Sequence, residues 1–150
     1  MGGSSQPPLS VARLRRDHGA EALPEASVLD VLREELGAEL ELVPCGGDDP
    51  LFQEREQWTD GSNAVALGPG HVILYARNTH TIRALERHGF QEVRLSVVQP
   101  ADLRRGLMVA GLSRPRTVFS FSGSELSRAR GGGRCLTMPL HRDSLTEPSA

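Results

Sequence analysis

The stretch Ala64-Val-Ala-Leu67, Gly68-Pro-Gly70, His71-Val-Ile-Leu-Tyr-Ala76 decides how this 150-residue chain is read. Two short apolar runs flank a Gly-Pro-Gly turn, the pattern of a β-hairpin. From Thr79 to His88, Ile82 and Leu85 fall on one helical face, and Gly89 supplies a stop, so a short helix is expected. Phe90 to Val93 then reads as a strand. Asn63 to Val93 is therefore strand, strand, helix, strand, which places the chain in the α/β class.

Upstream, Val28, Leu29, Val31, Leu32 and Leu36 share one helical face, with Arg33, Glu34 and Glu35 opposite. Ser27 with Asp30 forms a capping box in which Asp replaces Glu, and Gly37 closes the helix. Glu39-Leu-Glu-Leu-Val43 alternates polar and apolar as a half-buried strand does. Pro44 to Pro50 reads as a turn-rich loop. Glu54 to Asn63 reads as a polar loop that Trp58 would pin to the core, with the Asn63 amide at a strand start. Residues 1–26 read as a disordered or poorly ordered lead, with 11–26 ambiguous. Downstream, residues 94–117 carry several arginines and an apolar patch, with a helix possible from Asp102 to Ala110. Val118–Phe121 reads as a strand, Ser122–Arg130 as loop or turn, and Gly131–Gly133 as a flexible approach to Cys135. Leu136–Leu140 reads as a further strand and 144–150 as a flexible tail.

Composition excludes several chemistries. All 17 cations are arginine, against 19 acids. With no lysine there is neither a Walker-type phosphate loop nor a Schiff-base lysine. A net charge of −2 argues against a general nucleic-acid or membrane-surface binder. Two cysteines without a CxxC pair argue against a disulfide scaffold or a structural zinc. No apolar run is long enough for a membrane span or a signal peptide, so a soluble protein of a reducing compartment, the cytoplasm, is expected.

Cys135 is the leading candidate nucleophile. Gly131, Gly132 and Gly133 let backbone approach a ligand, and Arg128, Arg130 and Arg134 favour a thiolate. The alternative is a small buried cysteine at the start of a strand. Cys45 lies beside Asp48 and Asp49, which disfavour its thiolate. Arg128 to Arg134 also has the letters of an RGG-type nucleic-acid segment, though no aromatic residue interleaves with it. His18, His71, His80 and His88 lack metal-ligand spacing, and His141-Arg-Asp143 reads as a polar strand end.

Five motifs in this order resemble the arginine deiminase family. They are Cys45-Gly-Gly-Asp48, Glu54-Arg-Glu-Gln-Trp-Thr-Asp-Gly-Ser-Asn63, Tyr75-Ala-Arg-Asn-Thr79, Ser124-Glu-Leu-Ser-Arg-Ala-Arg-Gly-Gly-Gly-Arg-Cys135, and Met138-Pro-Leu140 running into Arg142-Asp143. The resemblance covers residues 27–143, with 94–117 as an atypical insertion outside its pattern. It implies part of a pentein α/β-propeller built from ββαβ blades. It implies hydrolysis of L-arginine to citrulline and ammonia through a covalent cysteine intermediate, in arginine catabolism, with no cofactor and no metal. By motif, Cys135 would be the nucleophile, and Asn63 and Arg130 would hold the substrate α-carboxylate. The family's His-x-Asp/Glu pair and its guanidinium-clamping carboxylates belong to a more N-terminal part, and His141-Arg-Asp143 is a decoy for the former. The expected protein is thus a C-terminal portion, inactive alone. It would be completed by a complementary N-terminal half, or else act as an inactive self-associating or partner-binding module.

Overall fold

The computed structural model describes residues 11–15, 19–23, 27–37, 39–96, 98–129 and 131–141. The chain divides into two units, 1–42 and 43–150.

In the first unit, β1 (Val11–Arg15) and β2 (Gly19–Leu23) pair antiparallel, Val11 opposite Leu23 and Arg15 opposite Gly19. These strands occupy part of the ambiguous 11–26 segment. Residues 1–10, expected as a disordered lead, and 144–150, expected as a flexible tail, lie outside the described residues. Helix α1 (Val28–Leu36) starts at the expected capping box: the Asp30 amide donates to Ser27 Oγ, and the Ser27 amide donates to Asp30 Oδ2. The Ser27 hydroxyl and amide hold the Asp30 carboxyl below its usual range. Gly37 ends the helix at φ 58°. The strand expected over 39–43 does not form. Alternation favours extended backbone, but a strand needs a partner for its amides, and none of these residues enters a ladder.

In the second unit the elements run α2 (Pro50–Trp58), β3 (Val65–Gly68), β4 (His71–Tyr75), α3 (Thr79–Arg87), β5 (Gln91–Leu95), α4 (Ala101–Leu112), β6 (Thr117–Phe121) and α5 (Ser124–Arg128). A single 3₁₀ turn, Arg134–Leu136, follows. The expected hairpin is β3–β4, and the expected helix and strand are α3 and β5. Helix α2 replaces the first half of the polar loop. Asp49 caps it by accepting from the Leu51 amide, and Pro50 occupies its first turn. Trp58 ends this helix and is 58% exposed.

The sheet order is β3-β4-β6-β5. β3 is antiparallel to β4, whereas β4, β6 and β5 are mutually parallel. β6, the last strand among the described residues, lies between the two strands that α3 connects. Thr117, Val118, Phe119 and Ser120 are all buried, as a central parallel strand covered on both faces requires. Leu74, Val118 and Ile82 form one core with Leu85 and Phe90, on the α3 face. Val93, Leu95 and Phe119 form the other with Leu107 and Met108, on the α4 face. The described residues thus give an open, mixed α/β sheet layered between helices.

Candidate functional site

The site is carried by the segment after β6. Gly123 is where the chain leaves the sheet: a Cβ there would lie 2.2 Å from the Tyr75 ring, so only glycine lets the backbone pass. Short helix α5 then forms where loop or turn was expected. Its Ser127 Oγ accepts from Arg77 Nη1 at 2.8 Å, fixing the helix to the end of β4.

The glycine run returns the chain to the sheet. Tyr75 is buried, and its hydroxyl donates to the Gly131 carbonyl at 2.7 Å. Burial, with Asp60 and Cys135 nearby, pushes the phenol up, so it remains a donor through neutral pH. Gly132 packs against Asn63 so closely that a Cβ would lie 2.3 Å from the asparagine Cβ. The Arg134 amide donates to the Asn63 carbonyl at 3.4 Å and the Cys135 amide to the Gly132 carbonyl at 3.1 Å. Asn63 Nδ2 then donates to Cys135 Sγ at 2.8 Å.

Cys135 is therefore not a buried strand residue. It is exposed, on a 3₁₀ turn, and Leu136–Leu140 continues without strand structure. The turn uses the local amides of residues 135–137 in i to i−3 bonds, leaving no regular donor row for a ladder. Of the residues singled out in the sequence, Asn63 and Cys135 meet directly across 72 positions. Arg130 and the Arg142-Asp143 pair lie outside the described residues, while His141 is exposed.

Sequence reading missed the support beneath this site. Glu56, buried on α2, accepts from the His80 and Thr81 amides at 2.8 and 2.7 Å, and from Thr81 Oγ1 at 2.7 Å. The carboxylate thereby caps α3, whose own N-cap Asn78 makes no side-chain capping bond. Asn78 is fully buried and instead pairs with Thr59 through both side-chain and backbone groups. Next to Thr59, Asp60 adopts φ 60° with a buried Oδ2 that has no hydrogen-bond partner among the described residues. These bonds fix the turn that delivers Asn63. The signal available in the sequence was the quoted Glu54–Asn63 and Tyr75–Thr79 motifs, which supply both sides of the network.

An exposed thiol under an amide donor, reached over a bare glycine backbone, can attack an electrophilic carbon brought to it. The sequence pattern of the arginine deiminase family matches residues 10–142. The chain belongs to the arginine deiminase family. It is 38% identical over 121 residues to the arginine deiminase of Mycoplasma capricolum, covering 81% of this chain and 24% of that one. Against the Clostridium perfringens arginine deiminase it is 36% identical over 143 residues, 92% of this chain and 28% of the relative. The Oenococcus oeni enzyme is 38% identical over 116 residues, 77% and 22% of the respective chains. The chain thus spans about a quarter of the length of these curated relatives. Among the described residues no helix is long and apolar enough to cross a membrane.

Proposed function

We propose that this chain is the nucleophile-bearing C-terminal portion of an arginine deiminase-type hydrolase acting on L-arginine. The observation that carries the reading is the Asn63–Cys135 pairing, assembled from two of the family's motifs around an exposed sulfur. The Cys135 thiolate adds to the guanidinium carbon, and the C–N bond breaks as ammonia leaves with a proton from an acid outside this chain. Water then adds to the S-alkylthiouronium carbon, and cleavage of the C–S bond returns the thiolate and releases citrulline. Arg130 would pair its guanidinium with the substrate α-carboxylate, and Asn63 would donate to the same group from beside the sulfur. The segment 94–117 is an insertion relative to the family pattern.

Alone, the chain lacks the family's guanidinium-clamping carboxylates, and an enclosed cation without them is very unfavourable. The isolated chain should therefore form no citrulline. Co-expression with the Mycoplasma capricolum enzyme from which the quarter matched by this chain has been deleted should restore citrulline formation, which Cys135→Ser should abolish. Citrulline formed equally by the Cys135→Ser pair would overturn the assignment.

A second reading is favoured by the segment after the cysteine. Leu136, Met138 and Leu140 are 57, 77 and 88% exposed, and Met138 lines a cavity with Val65 and Ala66 of the edge strand β3. Such a surface suits a partner-binding or self-associating module. Sedimentation that gives a well-behaved monomer at all concentrations would count against it.

A further inference from the structure

The segment 94–117 does more than extend the sheet. Helix α4 lies over β5 and β6 and leaves a groove of about 570 Å³ beside Ile73, Leu95, Met108 and Phe121. This wall is apolar and open to water, with Val109 on its rim 62% exposed. Arg104 and Arg105 of α4 flank it, and among the described residues neither guanidinium meets a carboxylate.

Leu95 and Ser96 also line a second cavity, of about 340 Å³, so the two are limbs of one groove. The second limb is polar. Arg77 and Arg94 border it with Ser122 and Ser124. Arg94 Nε also lies 3.7 Å from Glu92 Oε1 in a partly exposed ion pair, and Arg77 Nη1 donates to Ser127 Oγ, which leaves the remaining N–H groups of both guanidiniums for a ligand. It lies beyond the carboxyl ends of β4, β5 and β6, the three parallel strands. The connections from β4 and β5 leave to opposite faces of the sheet, through α3 and α4. That opens a crevice of the kind in which open α/β sheets take ligands. The combined size suits a small molecule.

We propose that this groove binds a small amphipathic carboxylate. The carboxylate sits in the polar limb against Arg94 and Arg77, and the apolar body lies along α4 against Met108 and Phe121. The ligand class follows from the lining: cations and hydroxyls at one end, a solvent-exposed apolar wall at the other, and no carboxylate among the groove-lining residues of either limb. A neutral apolar ligand would leave the polar limb unused, and an amphipathic cation would meet four guanidiniums. The site uses neither Cys135 nor Asn63, so it stands independently of the hydrolase reading.

The test titrates octanoate, octan-1-ol and octylammonium into the full chain and follows backbone amide resonances. Octanoate should shift Leu95, Ser96, Met108 and Gly123 saturably, at least about tenfold more tightly than octanol, and octylammonium should not bind. Arg94 is 65% exposed at its side chain and its pair with Glu92 is a partly exposed one, worth little to stability, so Arg94→Gln should leave the fold intact. It should weaken octanoate about tenfold and leave octanol unchanged. Met108→Trp fills the apolar limb and should abolish both, with the thermal melt confirming a folded protein. Absence of saturable shifts, octanol binding as tightly as octanoate, or unchanged octanoate affinity in Arg94→Gln would each overturn the proposal.

Discussion

Two cysteines sit beside glycines in this molecule, in opposite surroundings. Cys45 leads into Gly46 and Gly47, both at positive φ, and folds under the α2–α3 network. The Gly46 amide donates to Thr81 Oγ1 at 2.8 Å, and Cys45 Sγ lies 3.6 Å from the same hydroxyl. Burial, with the Glu56 carboxylate close by, pushes this thiol up, partly offset by the Thr81 hydroxyl. Cys135 follows its glycines outward to solvent and meets an amide donor in place of a carboxylate. Glycine beside cysteine therefore marks no chemistry by itself. What separates a structural thiol from a candidate nucleophile is which polar group the fold brings to the sulfur.

The contrast can be broken first at Glu56. Glu56→Ala strands the buried Thr81 amide and hydroxyl and the part-buried His80 amide, and should cost about 3 kcal/mol in a denaturant titration. It should also open the Cys45 loop, so that Cys45 becomes reactive toward iodoacetamide. Gly132→Ala drives a methyl into Asn63 and should cost about 2 kcal/mol. The Cys135 turn should shift, and the Asn63 side-chain amide resonances with it, while Cys45 stays protected. In the unaltered chain iodoacetamide at neutral pH should label Cys135 at least about tenfold faster than Cys45, as peptide mass spectrometry would show. Equal labelling would mean that the Cys45 loop opens as readily as Cys135 is exposed.

The smallest effect is in alkali. The Cys45 thiol is raised in the folded state, so its contribution is fully present below the unfolded thiol value of about 8.5 and is lost as pH rises through the folded value. The melting temperature should therefore fall above that pH. Cys45→Ala should flatten the onset, leaving the later decline that belongs to Tyr75.

Local chemistry made much of this legible. Ser27 with Asp30, Gly37, the Gly68-Pro-Gly70 turn and Gly89 each act within a few residues, and the elements they bound formed. Asp49-Pro50 was an equally local start signal for α2, but the polar run behind it hid the helix. No strand forms over 39–43, where alternation says nothing about a partner, nor over 136–140, where the 3₁₀ turn takes the first amides. The place of β6 was invisible for the same reason, since its neighbours β4 and β5 were already linked through α3. At the site, residue types alone left Cys135 open between nucleophile and core. Only the order of the motifs joined it to Asn63, and the fold brought those residues together.

The position of β6 has a consequence for how the protein comes into being. As the chain leaves the ribosome, β4 and β5 emerge as strands with a vacant place between them. Neither has its parallel partner until residues 117–121 follow. Leu74, Val93 and Leu95 must wait for Val118 and Phe119 before either core closes. The parallel sheet is completed in one late event, and a chain stopped before Thr117 would release two unpaired strand edges instead of a smaller domain.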